Sequence, residues 1–230
     1  MNSTKKRPGT SVFFAFSVFL LIATSVANAD EGTTGEIAVR LPLETFAVRA
    51  DEEDDARFTG GDLGGAPGLP GLPSVVFRVL LPPNTDLRSA HARLEKTDIE
   101  DVAGKWNVPP YPPAAHVVGE PIWPKGVEIR EGRNVQAYST NTFQPQSFLG
   151  LVKGHPVREW KILLVRIYPF RHNPVTQQIQ KLRTANLIVS FKTTGAGTEI
   201  KQAASASTAR IRQRIRESTV NFDVIAEQYK

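Results

Sequence analysis

The sequence contains no cysteine in its 230 residues. That excludes thiol catalysis, thiolate metal sites and disulfides. Stability has to come from an apolar core and from sheet hydrogen bonds, and the length suffices for a real core. Other absences narrow the chemistry further. No two of His91, His116, His155 and His172 have the His-Glu-x-x-His spacing of a helical zinc site. Scattered surface and turn histidines are the stronger reading. There is no Gly-x-Ser-x-Gly nucleophile elbow and no glycine-rich phosphate loop ending in Gly-Lys-Ser/Thr. The motifs therefore point to no catalytic residue, no cofactor and no metal, and a non-catalytic chain is expected.

What is present begins with a targeting segment. Lys5, Lys6 and Arg7 form a basic start, Val12 to Ala23 is apolar except at Ser17, and Ala27-Asn28-Ala29 is a small-x-small cleavage site. Residues 1–29 read as a signal peptide, with cleavage between Ala29 and Asp30. An uncleaved anchor would need about 18 or more apolar residues, and this run is shorter. No cysteine follows it, so no lipoprotein signal is present. A secreted or periplasmic location is expected, without stable membrane insertion once the segment is removed. The formal charge of +5 includes the three cations of that segment, and the remaining 25 basic and 23 acidic residues leave +2. The high pI is thus no argument for nucleic acid, and no nucleic-acid partner is expected.

The rest divides by composition. Residues 30–73 read as a leader and linker, with a short alternating strand at Ile37, Val39 and Leu41. Asp51 to Asp55 is an acidic run. It is a calcium site or a solvated, self-repelling linker, and the missing EF-hand spacing favours the linker. Glycines at 65, 68 and 71 alternate with prolines but stop too soon for collagen, so a turn-rich lead-in to the first core strand is expected. Residues 74–192 read as one antiparallel β-sandwich. Its strands are Ser74–Leu81, Ser147–Lys153, Val157–Tyr168, Thr176–Leu182 and Ala185–Lys192, with a hairpin of Gly126–Arg130 and Asn134–Thr140 about Glu131-Gly132-Arg133. Leu87–Glu95 is open between strand and helix, because Leu87, Ala90 and Leu94 also fit a helical face. In the long apolar strand, Leu163, Val165 and Ile167 share one face and Ile162, Leu164 and Arg166 the other. Trp106 to Pro124 is too rich in proline for extended regular structure. Its aromatics, with Tyr138, read as a binding platform or as anchors packing proline-rich loops, and packing is favoured.

Residues 193–230 read as a linker followed by a short, basic, amphipathic helix, with Ile211, Ile215, Phe222, Val224 and Ile225 near helical spacing. Arg210, Arg212, Arg214 and Arg216 alternate within it. They are a surface for an acidic partner, a processing site for an arginine-directed peptidase, or the wet side of a helix.

Several phrases recur in a telling order: Gly65 to Pro70 before the first core strand, Tyr138 with Phe143-Gln144-Pro145, Tyr168-Pro169, and the Asn173-Pro174 turn. A weaker echo is Asn221-Phe222-Asp223. Over residues 60–192 the chain resembles the N-terminal propeptide of the gingipain-type cysteine peptidases, although His172 stands where tyrosine is commoner. The resemblance implies a β-sandwich that binds a gingipain-type cysteine peptidase domain, holds it inactive and assists its folding. The sequence ends before any catalytic domain, which implies a stand-alone relative or a truncated precursor. Because an inhibitor gains affinity by presenting a preorganised loop to a cleft, Lys153 and Arg171 are the candidate inhibitory-loop residues. The other reading is an adhesive or structural sandwich that recognises a surface protein or glycan.

Overall fold

The structure is a computed structural model that describes residues 33–51, 55–113, 122–194 and 206–229. The signal segment with Ala29 and Asp30, the centre of the acidic run, His116 and linker residues 195–205 lie outside the described residues. Twelve strands follow in chain order: β1 Thr34–Arg40, β2 Ala47–Ala50, β3 Ala56–Thr59, β4 Asp62–Gly64, β5 Leu72–Leu81, β6 Thr85–Val102, β7 Ile129–Arg130, β8 Arg133–Asn134, β9 Leu149–Val157, β10 Trp160–Ile167, β11 Phe170–Asn173 and β12 Gln178–Thr193. Helix α1, Val135–Ser139, follows β8. Helices α2, Ala206–Ser218, and α3, Phe222–Ile225, lead into a 3-10 turn at Ala226–Tyr229. The fold is all-β and antiparallel, as expected.

Two four-stranded sheets face each other. In the first, β12 is the spine: β6 runs along one side, and β1 and β11 share the other. In the second the order is β4-β5-β10-β9. The chain passes between sheets at Pro82-Pro83-Asn84 and at Tyr168-Pro169, where proline cannot continue a ladder. Inward side chains of both sheets make one core, including Val39, Phe77, Val79, Leu163, Val165, Ile167, Leu182, Leu187 and Val189. Val165 and Ile167 are wholly buried, Leu163 nearly so, and Leu164 and Arg166 on the opposite face are half-buried. The alternation read from the sequence is the one observed.

Some elements differ from expectation. Residues 34–40, placed in a leader, are β1, which pairs with β12 from Thr34↔Lys192 to Arg40↔Asn186. Its Ile37 and Val39 join the core because alternation buries one face. The ambiguous segment 87–95 lies within strand β6, whose open choice is settled by backbone pairing to β12. The two strands expected at 176–192 are one, since the ladder passes Leu182/Thr184 with a bulge instead of a turn. Of the expected hairpin only β7 and β8 pair, about a Glu131-Gly132 turn in which both residues have positive φ. Its second arm becomes α1 because the Asn134 side chain accepts the Ala137 N–H at 3.0 Å and caps a helix there.

The Gly65 to Pro70 phrase is held by backbone bonds to the proline-rich segment. Gly68 N–H donates to Tyr111 O at 2.9 Å, Gly71 N–H to Pro109 O at 2.9 Å, and Tyr111 N–H to Leu69 O at 2.7 Å. Gly68 has φ 86°, and a Cβ there would come within 2.9 Å of Ile129. The expected turn at Asn173-Pro174 closes the β11–β12 hairpin, with Asn173 Oδ1 accepting from the N–H of Val175 at 3.1 Å and of Thr176 at 3.3 Å.

The C-terminal segment is a third layer. Trp160 and Ile162 lie on the outer face of the second sheet with Leu80, which pairs with Ile162, and all three are buried. The cover is α2, α3 and the 3-10 turn. The Tyr229 ring stacks on Trp160 at 4.4 Å between centroids, and Phe222 lies 5.9 Å from the same ring. Polar groups fix the cover in register. The Asn221 side chain accepts the Leu80 N–H and donates to the Leu80 carbonyl, both at 2.8 Å. Val220 N–H donates to Arg78 O at 3.0 Å. The stretch of β5 that β4 does not pair is thereby closed.

Candidate functional site

Strands β6 and β9 each have a partner on one side only, β12 and β10 respectively. Between these two sheet edges lies a groove of about 670 Å³. Its floor is Leu87, Ala90, Ala92 and Val152, and its rim carries Arg88, His91 and Lys153. The two strands approach closely because residue 154 is glycine: a Cβ there would sit 2.8 Å from the Leu87 Cβ. An open edge offers unpaired backbone N–H and C=O groups to an incoming strand, and the apolar floor offers pockets for its alternate side chains.

Lys153 is exposed and borders this groove, but it is not on a loop. It lies within β9, paired with Leu164. The expected strand ends at Lys153, where a loop could begin, but backbone pairing to β10 carries β9 on to Val157. Arg171 is not on a loop either. It lies in β11, where one guanidinium nitrogen donates to Gln146 O at 2.8 Å and another to Gln180 Oε1 at 2.6 Å. The guanidinium carbon sits 4.3 Å from the Phe148 ring centroid and 5.5 Å from that of Phe143. Burial pulls its pKa below the ordinary arginine value. Those contacts make Arg171 a clamp for the 143–148 loop.

The four arginines of the tail lie on α2, which is docked and not loose. Arg212 sits 5.8 Å above the Trp160 ring and 5.5 Å from that of Phe222, and Arg216 pairs with Asp223 at 3.4 Å. Arg210, Arg214 and Arg216 are exposed. Cleavage in this row requires the helix to unwind first, because a peptidase takes an extended backbone. The sequence predicts an amphipathic helix here with Ile215, Phe222 and Ile225 on its apolar side, but not the sheet face that those residues and Tyr229 cover.

The remaining chemistry is structural. Of the acidic run, the Asp51 carboxylate accepts the Asp55 N–H at 2.8 Å and meets Arg57 at 2.6 Å, while Asp55 accepts from the Asn107 amide. Among the described residues no group of three His, Cys, Asp or Glu could hold a metal ion. Tyr138 OH donates to Val108 O at 2.8 Å and its ring lies under Arg133, so it packs the proline-rich loop. His172 is buried, with Nε2 3.1 Å from Trp106 O and no hydrogen-bond partner on Nδ1. Burial pushes its pKa down to about 4. Sequence reasoning missed the β6 half of the groove. The signal was there, since residues 87, 90, 92 and 94 give small and apolar side chains between charged ones, but that spacing also fits a helix.

No curated protein matches the sequence at a significant level. Among solved structures, the complex of the RgpB pro- and mature domains from Porphyromonas gingivalis is similar over 88% of this chain and 98% of that one, with 14% identity and a TM-score of 0.50. At this identity the likeness speaks for the fold. A structure on the zymogenic latency of gingipain K from Porphyromonas gingivalis covers 76% of this chain and 93% of that one, at 16% identity and a TM-score of 0.47. The Propeptide_C25 family model matches residues 55–225, well over half of the chain and from β3 to the last residue of α3. The chain belongs to the Propeptide_C25 family and is a propeptide module of the gingipain type.

Proposed function

We propose that this module binds the catalytic domain of a gingipain-type cysteine peptidase and restrains it, and that it acts after export and removal of residues 1–29. It does no chemistry of its own. The observation that carries the reading is the groove between β6 and β9, where two sheet edges are open and an apolar floor is rimmed by Arg88, His91 and Lys153. A strand of the peptidase added at either edge gains backbone hydrogen bonds without ordering a flexible loop, which keeps the entropic cost low. Its family membership supplies the class of partner. Among the described residues no helix is long and apolar enough to cross a membrane.

The test mixes the purified chain, residues 30–230, with a gingipain-type catalytic domain from the same organism and follows hydrolysis of an arginyl reporter. Slowed hydrolysis at micromolar chain supports the reading. Undiminished hydrolysis together with binding to a glycan or a cell-surface protein would replace it with the adhesive one.

A further inference from the structure

Strand β6 carries Asp86, Glu95, Asp98, Glu100 and Asp101, whereas β5, β9 and β10 carry no carboxylate at all. Three of the four cations of those strands, Arg78, Lys153 and Arg166, stand close together, and the fourth, Lys161, pairs with Leu81 and Pro156. Leu164 pairs with Arg78 on one side and Lys153 on the other, and Arg166 pairs with Val76. Residues directly opposite one another share a face. Trp160, Ile162, Leu164 and Arg166 therefore mark the outer face of the second sheet. One row reads Lys153–Leu164–Arg78, and the next sets Arg166 beside Val76, with Leu151 near its β9 end where the ladder shifts register between Val165 and Ile167.

The C-terminal segment covers only one end of this face, over Trp160, Ile162 and Leu80. Among the described residues it meets the first row only at the Arg78 carbonyl, which accepts the Val220 N–H. Val76 is 40% exposed and Leu151 57% exposed. Arg78 and Lys153 are exposed, and Leu164 and Arg166 half-buried. Among the described residues none of the three cations has an ion-pair partner, and Arg166 Nε has no hydrogen bond. Where carboxylates stand near, arginines of this protein pair with them: Arg93 with Glu36 and Glu95, Arg183 with Asp98 and Glu100, Arg130 with Glu128.

We infer that this uncovered half-face is a second docking surface, adjoining the groove at Lys153, and that it takes a carboxylate-bearing, partly apolar patch on the peptidase catalytic domain. The inference rests on the propeptide reading. Strands sit about 4.8 Å apart, so Arg78 and Lys153 flank Leu164 with backbones about 10 Å from each other. That spacing suits two or three carboxylates on a folded surface set around one apolar side chain. A flexible polyanion fits less well, because it gains nothing from Val76, Leu164 and Leu151 and would need a longer row of cations. Complementary charge at the edge of an interface acts mainly on the association rate, and salt screens it.

The experiment measures association and dissociation of the chain, residues 30–230, with the catalytic domain whose active-site thiol has been blocked, at low and at high salt. In the R78E/K153E variant both changed side chains are exposed, so the unfolding midpoint should not move. Its association rate at low salt should fall about tenfold, the scale of lost steering, and the deficit should shrink at high salt. The R78K/K153R variant should associate like the unchanged chain. Leu151→Ser should leave association alone and speed dissociation. Binding of R78E/K153E with an unchanged association rate would overturn this surface while leaving the propeptide reading in place. Loss of binding to heparin or to anionic vesicles, with peptidase association unaffected, would overturn it in favour of a polyanion. Failure of the unchanged chain to bind the peptidase at all would overturn the reading and this surface together.

Discussion

Tyr229 joins three parts of the molecule through one hydroxyl. It accepts the Lys161 N–H at 2.9 Å and donates to Leu81 O at 2.5 Å, while its ring lies on Trp160. Burial raises its pKa well above the ordinary tyrosine value, so it stays a neutral donor. Tyr229→Phe keeps the ring and strands two buried backbone groups, which should cost about 1–3 kcal/mol in urea unfolding. A midpoint equal to that of the unchanged chain would show that water replaces the hydroxyl. Val165→Asp places an unpaired charge in the core and should cost several kcal/mol, read as a lowered melting temperature. His172 gives a pH signature. Its pKa is about 4 in the fold and about 6.5 in an unfolded chain. The unfolded state thus binds a proton that the folded state refuses. The stability it contributes is complete above pH 6.5 and declines as pH falls towards 4, by about 3 kcal/mol at the full shift. His172→Gln should flatten the fall in stability between pH 6.5 and 4.5 relative to the unchanged chain, measured by denaturant midpoints. The faces of Val165 and its neighbours were legible because alternation is a local property. Tyr229 was not, because its partners stand 68 and 148 residues away and no local pattern reports them.

At the scale of elements, the C-terminal segment behaves as a strap whose buckle is Asn221. Its side chain makes the two bonds to Leu80 that a neighbouring strand would otherwise make. Asn221→Ala should raise the amide exchange rates of α2 and of the Trp160–Ile162 stretch together while leaving those of β12 unchanged, because local opening of the strap exposes one and not the other. Uniform acceleration across all strands would mean that the strap is no separate unit. Element identity was readable where the period was clean, as in β5 and β10. It was unreadable in β6, whose edge position removes half of the burial that distinguishes a strand pattern from a helical one. It was misread at β12, where bulges interrupt the alternation without ending the strand. The N-terminal strand β1 was recognised as a strand but assigned to a leader, because a short alternating run followed by Pro42 says nothing of a partner at the other end of the chain. The groove was legible only in part. Lys153 was picked out for its charge, but the facing wall of β6 depends on how the two sheet edges meet.

For the whole molecule, one core runs through both sheets and on to the strap: Ile215, Phe222, Ile225 and Tyr229 belong to the same buried cluster as Val79 and Leu187. Unfolding in urea should therefore be a single transition, with far-ultraviolet circular dichroism and the fluorescence of buried Trp160 changing together. Fluorescence that moves at lower urea than the dichroism would show the strap leaving before the sandwich melts. The pairing of β1 with β12 has a consequence in time. Thr34 meets Lys192 across most of the sequence. At about 5–20 residues per second, synthesis leaves β1 waiting roughly 10–30 s for the strand that receives it. The spine of the first sheet is made after its other three strands, and β1, β6 and β11 have no shared partner until it arrives. The first sheet stays open while the residues between β1 and β12 are made, and closing it is an event of high contact order. Any factor that grips the emerging chain has that long interval in which to act, and a ribosome stalled before Gln178 holds a molecule that has not begun to close its first sheet.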